Sequence, residues 1–475
     1  MTAPNMQFRY GAGLGSWENP NNWVTPGTNV ALNRVPGEDD AVYIPGSVGV
    51  VHISGAKTVK SLELGNAVGQ SRPVLVPPTA VRGVDITTKG PMIVGTGFRI
   101  SGRDGWNDNP NGGSVVLTSL GTSPAPAGVT QGITIRGSVL GGNALSGNPL
   151  LNQQGGNGAR AEVVAWNGTV TISGTVRGGD AGASMGAAAN TAGEANVASH
   201  RGNVVISGTV AGGVGARGTN PGLGAKAVVL AFEGDITNTG TVEGGRGGVW
   251  LAPIPNPGIP NGSGNSGGDV TIKTITSGNV LGLGRLTAGT GGAGAGGSGV
   301  AGSVAVICED HPGTISRGEV PAGAGAMISG LGVTISTGRG GSIGLRDLRI
   351  GHIVAGADGV VIDTHCESGE IDLRRAAGAG VVLRSTCCVT MGGYVRLNAG
   401  TALAAMAAPV INGDPRCGVS PFDINGDGEV TKADIIAMGV ALLPGSTAFY
   451  DVNCDGVMNA LDLLAVINAV PRNGN

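Results

Sequence analysis

Residues 161–179 read AEVVAWNGTVTISGTVRGG, and the fold turns on this stretch. Two runs, AEVVAW from Ala161 and TVTISGTV from Thr169, alternate apolar with polar or small residues. That is the two-residue period of a half-buried β-strand. Glycine stands between the runs, where a tight turn is easiest without a Cβ. The phrase recurs: GSVLGG starts at Gly137, GTVRGG at Gly174, GTVAGG at Gly208 and GTVEGG at Gly240, spacings of 37, 34 and 32 residues. VVLTS from Val115 and AVVLAF from Ala227 repeat the leading strand, and a weaker echo, GRLTAGTGG, starts at Gly284. Each unit is therefore strand, glycine turn, strand, then a Gly/Asn/Ala loop of variable length. Self-similarity of this length marks a repeat architecture.

After about residue 330 the runs VTIST, SIGLRDL, VVIDTHC, EIDLRR, VVLRSTC and YVRLNAG come about every ten residues. Two of them predict a coil of roughly 20 residues. The expected fold is mainly β, a single-stranded parallel β-helix or β-solenoid. Successive coils pair in parallel, and alternate side chains stack inward on their equivalents one coil away. Gly-rich excursions such as GGNALSGNPLLNQQGGNG from Gly141 are expected as loops on one side. A β-sandwich array would carry more aromatics and hairpin turns, and a disordered chain would lack the regular apolar runs.

Composition agrees. The chain has 475 residues, of which 92 are glycine and only 3% aromatic, so its core must come from layers of small side chains. Net charge is −3 without a basic block, which excludes an electrostatic nucleic-acid surface. No apolar run is long enough for a membrane span. The start, MTAPNMQFRYGAG, has no secretory signal pattern and reads as a mature form to which Met1 was added. All six cysteines fall late: Cys308, Cys366, Cys387, Cys388, Cys417 and Cys454. Disulfides Cys366–Cys387 and Cys417–Cys454 stand open against buried free thiols.

The last sixty residues carry different chemistry. DINGDGEVTKAD runs from Asp423 to Asp434 and DVNCDGVMNALD from Asp451 to Asp462. Each twelve-residue loop has oxygen side chains at positions 1, 3, 5, 9 and 12 and glycine at position 6, the spacing of an EF-hand-type calcium loop. ADIIAMGVALL and ALDLLAVINAV follow at helical periodicity, so each unit is loop then helix, a small α-helical calcium module at the C-terminus.

This pair resembles the type I dockerin domain, over about residues 417–471. The resemblance implies two Ca2+ ions. The first loop would use Asp423, Asn425, Asp427, the Glu429 carbonyl and Asp434. The second would use Asp451, Asn453, Asp455, the Val457 carbonyl and Asp462. Thr431 and Asn459 stand at position 9, a water-bridged place. It also implies a cohesin-like partner, although Lys432–Ala433 and Ala460–Leu461 occupy positions that often carry Ser/Thr pairs. A module docked on the solenoid without a cohesin stands as the alternative. GSWENPNNWVTPGTNVALNRVPGEDDAVYIPGSVGVVHI, from Gly15, is similar to the opening of many bacterial secreted β-helix proteins. Trp17 and Trp23 there read as plugging the first coil, against a sugar-stacking platform.

The expected organisation is a cap over residues 1–50, the solenoid over 51–400, a linker over 401–416 and the calcium module over 417–475. Catalytic candidates cluster late: Glu309, Asp310, His311, Asp347, Asp363, His365, Glu367, Glu370 and Asp372, with Arg346, Arg349, Arg374, Arg375 and Arg384 among them. Arg346, Asp363 and Arg384 are expected as one surface ladder. A solvated face outweighs a catalytic one here. Asp104 and Asp108 lie in a turn-forming Asp/Asn/Gly run. The main reading is an extracellular or cell-surface structural or adhesive solenoid with an attachment module. The alternatives are a carbohydrate-active β-helix enzyme, lyase or glycoside hydrolase, and a self-assembling polymer subunit. Partner classes are thus a cohesin-like or cell-surface protein, a polysaccharide or a second copy.

Overall fold

The structure, a computed structural model, describes residues 3–9, 15–67, 74–78, 83–106, 109–121, 131–146, 155–183, 189–251, 263–309, 311, 313–316, 327–336, 342–344, 353–363, 370–372, 383–385, 389–392, 394–396, 404–405, 410–411, 424, 431–443 and 460–470. Two compact units emerge: Met1–Ile272 with Thr287–Gly302, and Lys273–Leu286 with Ser303–Asn475.

In the first unit the chain lays strands into three parallel sheets, one strand per sheet on each pass. The first sheet holds Ala56–Val59, Val84–Thr88, Val115–Ser119, Ala161–Asn167, Ala195–Arg201 and Ala227–Glu233. The second includes Met92–Val94, Gly132–Ile135, Thr169–Ile172, Val204–Ile206 and the start of Ile236–Glu243. The third includes Arg99–Ser101, Ser138–Leu140, Thr175–Arg177, Thr209–Ala211 and the end of Ile236–Glu243. Each strand thus pairs with its equivalent one pass later, an arrangement compatible with a β-helix or solenoid. Like stacks on like: Ala161, Ala195 and Ala227 share one rank, Val163, Val197 and Val229 another, and all six are buried. Corner glycines Gly168, Gly202 and Gly234 follow the first-sheet strands at φ of 129°, 154° and 156°. Each fully buried Val or Ile in these stacks contributes about 1.5–3 kcal/mol.

The Gly-rich excursions are more than loops. Their outgoing and returning arms form a hydrogen-bonded array. Gly142 donates to Gly113 O, Ala159 to Gly142 O, Gly179 to Ala159 O, and Gly193 to Gly179 O. The chain of bonds continues through Gly213, Ala225, Gly245, Gly268, Gly289 and Gly302. Outgoing arms also bond to the next outgoing arm, every third residue: Gly141 to Arg177 O and Ala144 to Asp180 O, then Gly178 to Ala211 O and Ala181 to Val214 O. A three-residue period without internal bonds is that of extended threefold helices, which pack closely only where glycine faces a neighbour. A Cβ added at Gly245 would sit 1.7 Å from Gly213 O, and one at Gly179 would sit 2.0 Å from Gly142 O. Asn and Asp side chains seal the rims: Asp104 Oδ1 accepts from Asn143 N, Asn143 Oδ1 from Asp180 N, and Asp180 Oδ1 from Val214 N.

At the N-terminus the rule of parallel pairing breaks. Met6–Phe8 pairs antiparallel with Trp23–Val24 while pairing parallel with Ala41–Ile44. Trp17 and Trp23 are buried edge to face, centroids 4.9 Å apart, so neither offers a ring face to a sugar. Asp40 is the local hub, held by the Arg34 guanidinium at 2.5 and 2.6 Å, Gly37 N and Asn5 Nδ2. The Arg34 bond holds its carboxyl below the ordinary range. Burial opposes ionisation of Glu18, but the Ser54 N–H, Ser16 and Lys57 outweigh it and bring its pKa to about 2. Both groups are depressed relative to the unfolded chain, so their stabilisation is complete above about pH 4.5 and fades as pH falls toward about 2. Acid titration of tryptophan emission should therefore show an N-terminal transition in that window, and Asp40→Asn should move it to higher pH.

In the second unit the ladders are again parallel. Val304, Val333, Val360 and Val389 share a rank, as do Ile343, Ile371 and Val395. The expected coil of about 20 residues needs correction. Ranks 333, 360 and 389 lie 27 and 29 residues apart, and the spacing reaches 20 only between Arg384 and Ala404 and between Thr390 and Val410. The reason is that Met327–Ser336 and Ile353–Asp363 each serve two ladders, with a register shift between Gly330 and Gly332. Ala404–Ala405 and Val410–Ile411, inside the stretch expected as a linker, pair with Arg384–Ser385 and Thr390–Met391. Among the described residues no helix is long and apolar enough to cross a membrane.

Candidate calcium centre

Two ten-residue helices carry the C-terminal module, α1 over Lys432–Ala441 and α2 over Ala460–Ala469. Thr431 caps α1: its Oγ1 accepts from Ala433 N at 3.2 Å. Asp434, three residues on, returns the bond, its Oδ2 accepting from Thr431 N at 2.7 Å. Its Oδ1 accepts from Ile424 N at 2.6 Å. The carboxylate is 0% exposed and lies between positions 2 and 9 of the first calcium loop. A buried carboxylate bonded to residues 424 and 431, at the two ends of a sequence rich in acidic side chains, suits a hard divalent cation, and each carboxylate oxygen can accept a backbone N–H alongside a metal. Asp434 fits calcium on this observation.

Asp462 is the third residue of α2. Asp423, Asn425, Asp427, Glu429, Asp451, Asn453, Asp455 and Val457 lie outside the described residues, as do Cys366, Cys387, Cys417 and Cys454. The helices meet over a small core of Ile424, Met438 and Val466, flanked by Ile435, Ala437 and Leu463. Their outer sides are unexpectedly apolar. Ile436, Val440 and Leu443 are exposed at spacings of four and three residues, Ile436 at 68%, and Leu461, Leu464 and Ile467 are exposed on the second helix. Helical periodicity alone would have assigned these residues to a core.

Among the described residues the late acidic candidates are not brought together as one group. Asp363 ranks with Ser336 and Gly392, whereas Arg384 ranks with Val354 and Ala404, so the expected ladder through both is not formed. They belong to different ladders because one long strand serves two. Glu309 is ion-paired with Lys273 at 2.5 Å, and His311 Nε2 lies 3.1 Å from Thr274 Oγ1. Asp372 and Glu370 pair along the backbone with Gly344 and Ser342. Asp108, Asp310, Arg346, Asp347, Arg349, His365, Glu367, Arg374 and Arg375 lie outside the described residues. Cys308 is buried. Among the described residues no three His, Cys, Asp or Glu side chains gather as a metal site.

The class defined so far is a mainly β chain of long parallel sheets that ends in a capped loop–helix module. Residues 421–471 match the dockerin type I domain family, whose members bind calcium and dock to cohesins. No curated protein and no solved structure matches the chain.

Proposed function

We propose that this chain is an extracellular, parallel β-solenoid of structural or adhesive role, fastened to a cohesin-type partner by its dockerin-type segment with two calcium ions. The observation that carries the reading is the match over residues 421–471, together with the position-12 carboxylate of Asp434 seated in its loop. Residues 1–50 close the first pass, and the sheets with their glycine array form a stiff body. The partner face is the pair of apolar stripes on α1 and α2. Large exposed apolar residues clustered on one small module are what a desolvating protein contact needs.

The test is capture on immobilised purified cohesin domains, with calcium and with chelator. Capture is expected only with calcium. Ile436→Asp combined with Leu464→Asp should weaken it by at least about a hundred-fold, as loss of two buried apolar anchors would. A chain captured equally without calcium, or by none of a broad cohesin panel, contradicts the reading.

A further inference from the structure

In Ala161–Asn167, Ala195–Arg201 and Ala227–Glu233 buried residues alternate with outward ones, so four levels run across the outer face of the first sheet. The first level lies just before each strand and reads Arg160, Glu194, Lys226 and Asp269. Ala161 N donates to Glu194 O, Ala195 N to Lys226 O and Ala227 N to Asp269 O, so the level continues in step. The second level reads Glu162, Asn196 and Val228, and the third Val164, Ala198 and Leu230. At the fourth stand Trp166, His200 and Phe232, their rings stacked with centroids 3.9 and 4.3 Å apart. Burial lowers the His200 pKa, so the stack is uncharged at neutral pH. Trp166 is 48% exposed, and all of these residues belong to the first unit.

The charges of the first level alternate in sign, and an even row of this kind, read backwards, is its own opposite. Pairing within the chain does not use the row up. Lys226 lies 3.1 Å from Asp269, and Arg160 lies 3.1 Å from Glu162 two residues on. Glu194 is exposed and has no ion pair among the described residues. At the other margin Arg201 and Glu233, 3.8 Å apart, repeat the alternation. Now consider a second copy turned about an axis parallel to the strands and set between Ala195–Arg201 and Ala227–Glu233. It presents every level in reverse order of passes. Arg160 then faces Asp269 of the second copy, Glu194 faces Lys226, and Arg201 faces Glu233. On the third level the small Ala198 faces the large Leu230, and on the fourth His200 faces Phe232. Opposite charges meet at both margins, and unequal sizes meet between them.

We propose that this face is the interface of an isologous dimer, a second copy of the chain being the partner in that orientation. Four passes about 4.8 Å apart and about seven residues long give a face of roughly 19 by 23 Å. Two such faces cover about 900 Å², below the roughly 1,200 Å² of stable complexes, so the dimer is a weak one. Its charges stand at the exposed margins, so salt screens them and loosens it. The face uses no residue of the attachment segment, so this proposal and the cohesin reading can fail separately.

The test is sedimentation of the full-length chain with calcium, up to about millimolar protein. A monomer–dimer equilibrium is expected, weaker in high salt. Glu194→Lys sets like charges against Lys226 of the second copy, and Lys226→Glu sets them against Glu194. Each should weaken the dimer at least about ten-fold. An equal mixture of the two single variants restores opposite charges at every position of the row, and it should associate as well as the wild-type chain. The double variant carrying both exchanges should do the same, and it decides the matter if either single variant misfolds. A strict monomer at millimolar wild-type chain overturns the proposal. So does association that both single variants retain, which would place the contact elsewhere, or a mixture and a double variant that both stay monomeric.

Discussion

Gly245→Val should cost at least about 3 kcal/mol, at the upper end of single substitutions. Gly245 donates to Ala225 O at 2.7 Å and accepts from Gly268 N at 2.8 Å, so both its neighbours in the array are fixed by its backbone. A Cβ there would meet Gly213 O at 1.7 Å, Gly213 C at 2.6 Å and Ala225 N at 2.9 Å. All three are backbone atoms, so no side-chain rotation relieves the contact. The arms must separate, and each separated arm leaves N–H and C=O groups without partners. Melting should fall by several degrees, and hydrogen exchange should speed up first in the arms on either side, because stability in a stacked repeat is a nearest-neighbour property. Gly49→Ala is the control: nothing lies within 4 Å of its added Cβ, and it should change melting by less than about a degree.

Calcium removal should unfold the C-terminal helices while leaving the sheets intact. Helices of ten residues do not persist alone in water, and the three-residue core of Ile424, Met438 and Val466 is too small to hold two of them. The loop sequences carry several carboxylates, which repel one another without a cation, so metal binding and folding are expected to be one event. Limited proteolysis with chelator should cut between residues 431 and 470, and millimolar calcium should protect that span. Asp434→Ala should reproduce the chelated state in the presence of calcium. It removes the proposed position-12 ligand, breaks the cap of α1 at about 0.5–2 kcal/mol, and strands the buried N–H of Ile424 at about 1–3 kcal/mol.

Much of this was legible in residue order. The alternation of AEVVAW and the spacing of the GTVxGG phrases predicted strands that pair with their equivalents, and Ala161, Ala195 and Ala227 do share a rank. What escaped was long-range. The glycine arms looked like loops because their order comes from bonds between passes, such as Gly179 to Ala159, which no local pattern encodes. The spacing after residue 330 was misread because Met327–Ser336 and Ile353–Asp363 each serve two ladders, and the glycines inside both, with Asp358 in the second, read as strand ends rather than as a strand that runs on. The aromatic stack did leave a trace. Trp166, His200 and Phe232 are 34 and 32 residues apart, the same intervals that separate Gly174, Gly208 and Gly240. The calcium loops were the plainest signal, since ligand spacing is local; the exposed sides of their helices were not, since periodicity reports an apolar face without saying what covers it.

The most direct test of the account is isothermal titration of calcium into the calcium-free full-length chain. Binding of two ions, with a gain of helical circular dichroism at the same ratio, is the predicted result. No binding up to millimolar calcium would contradict it.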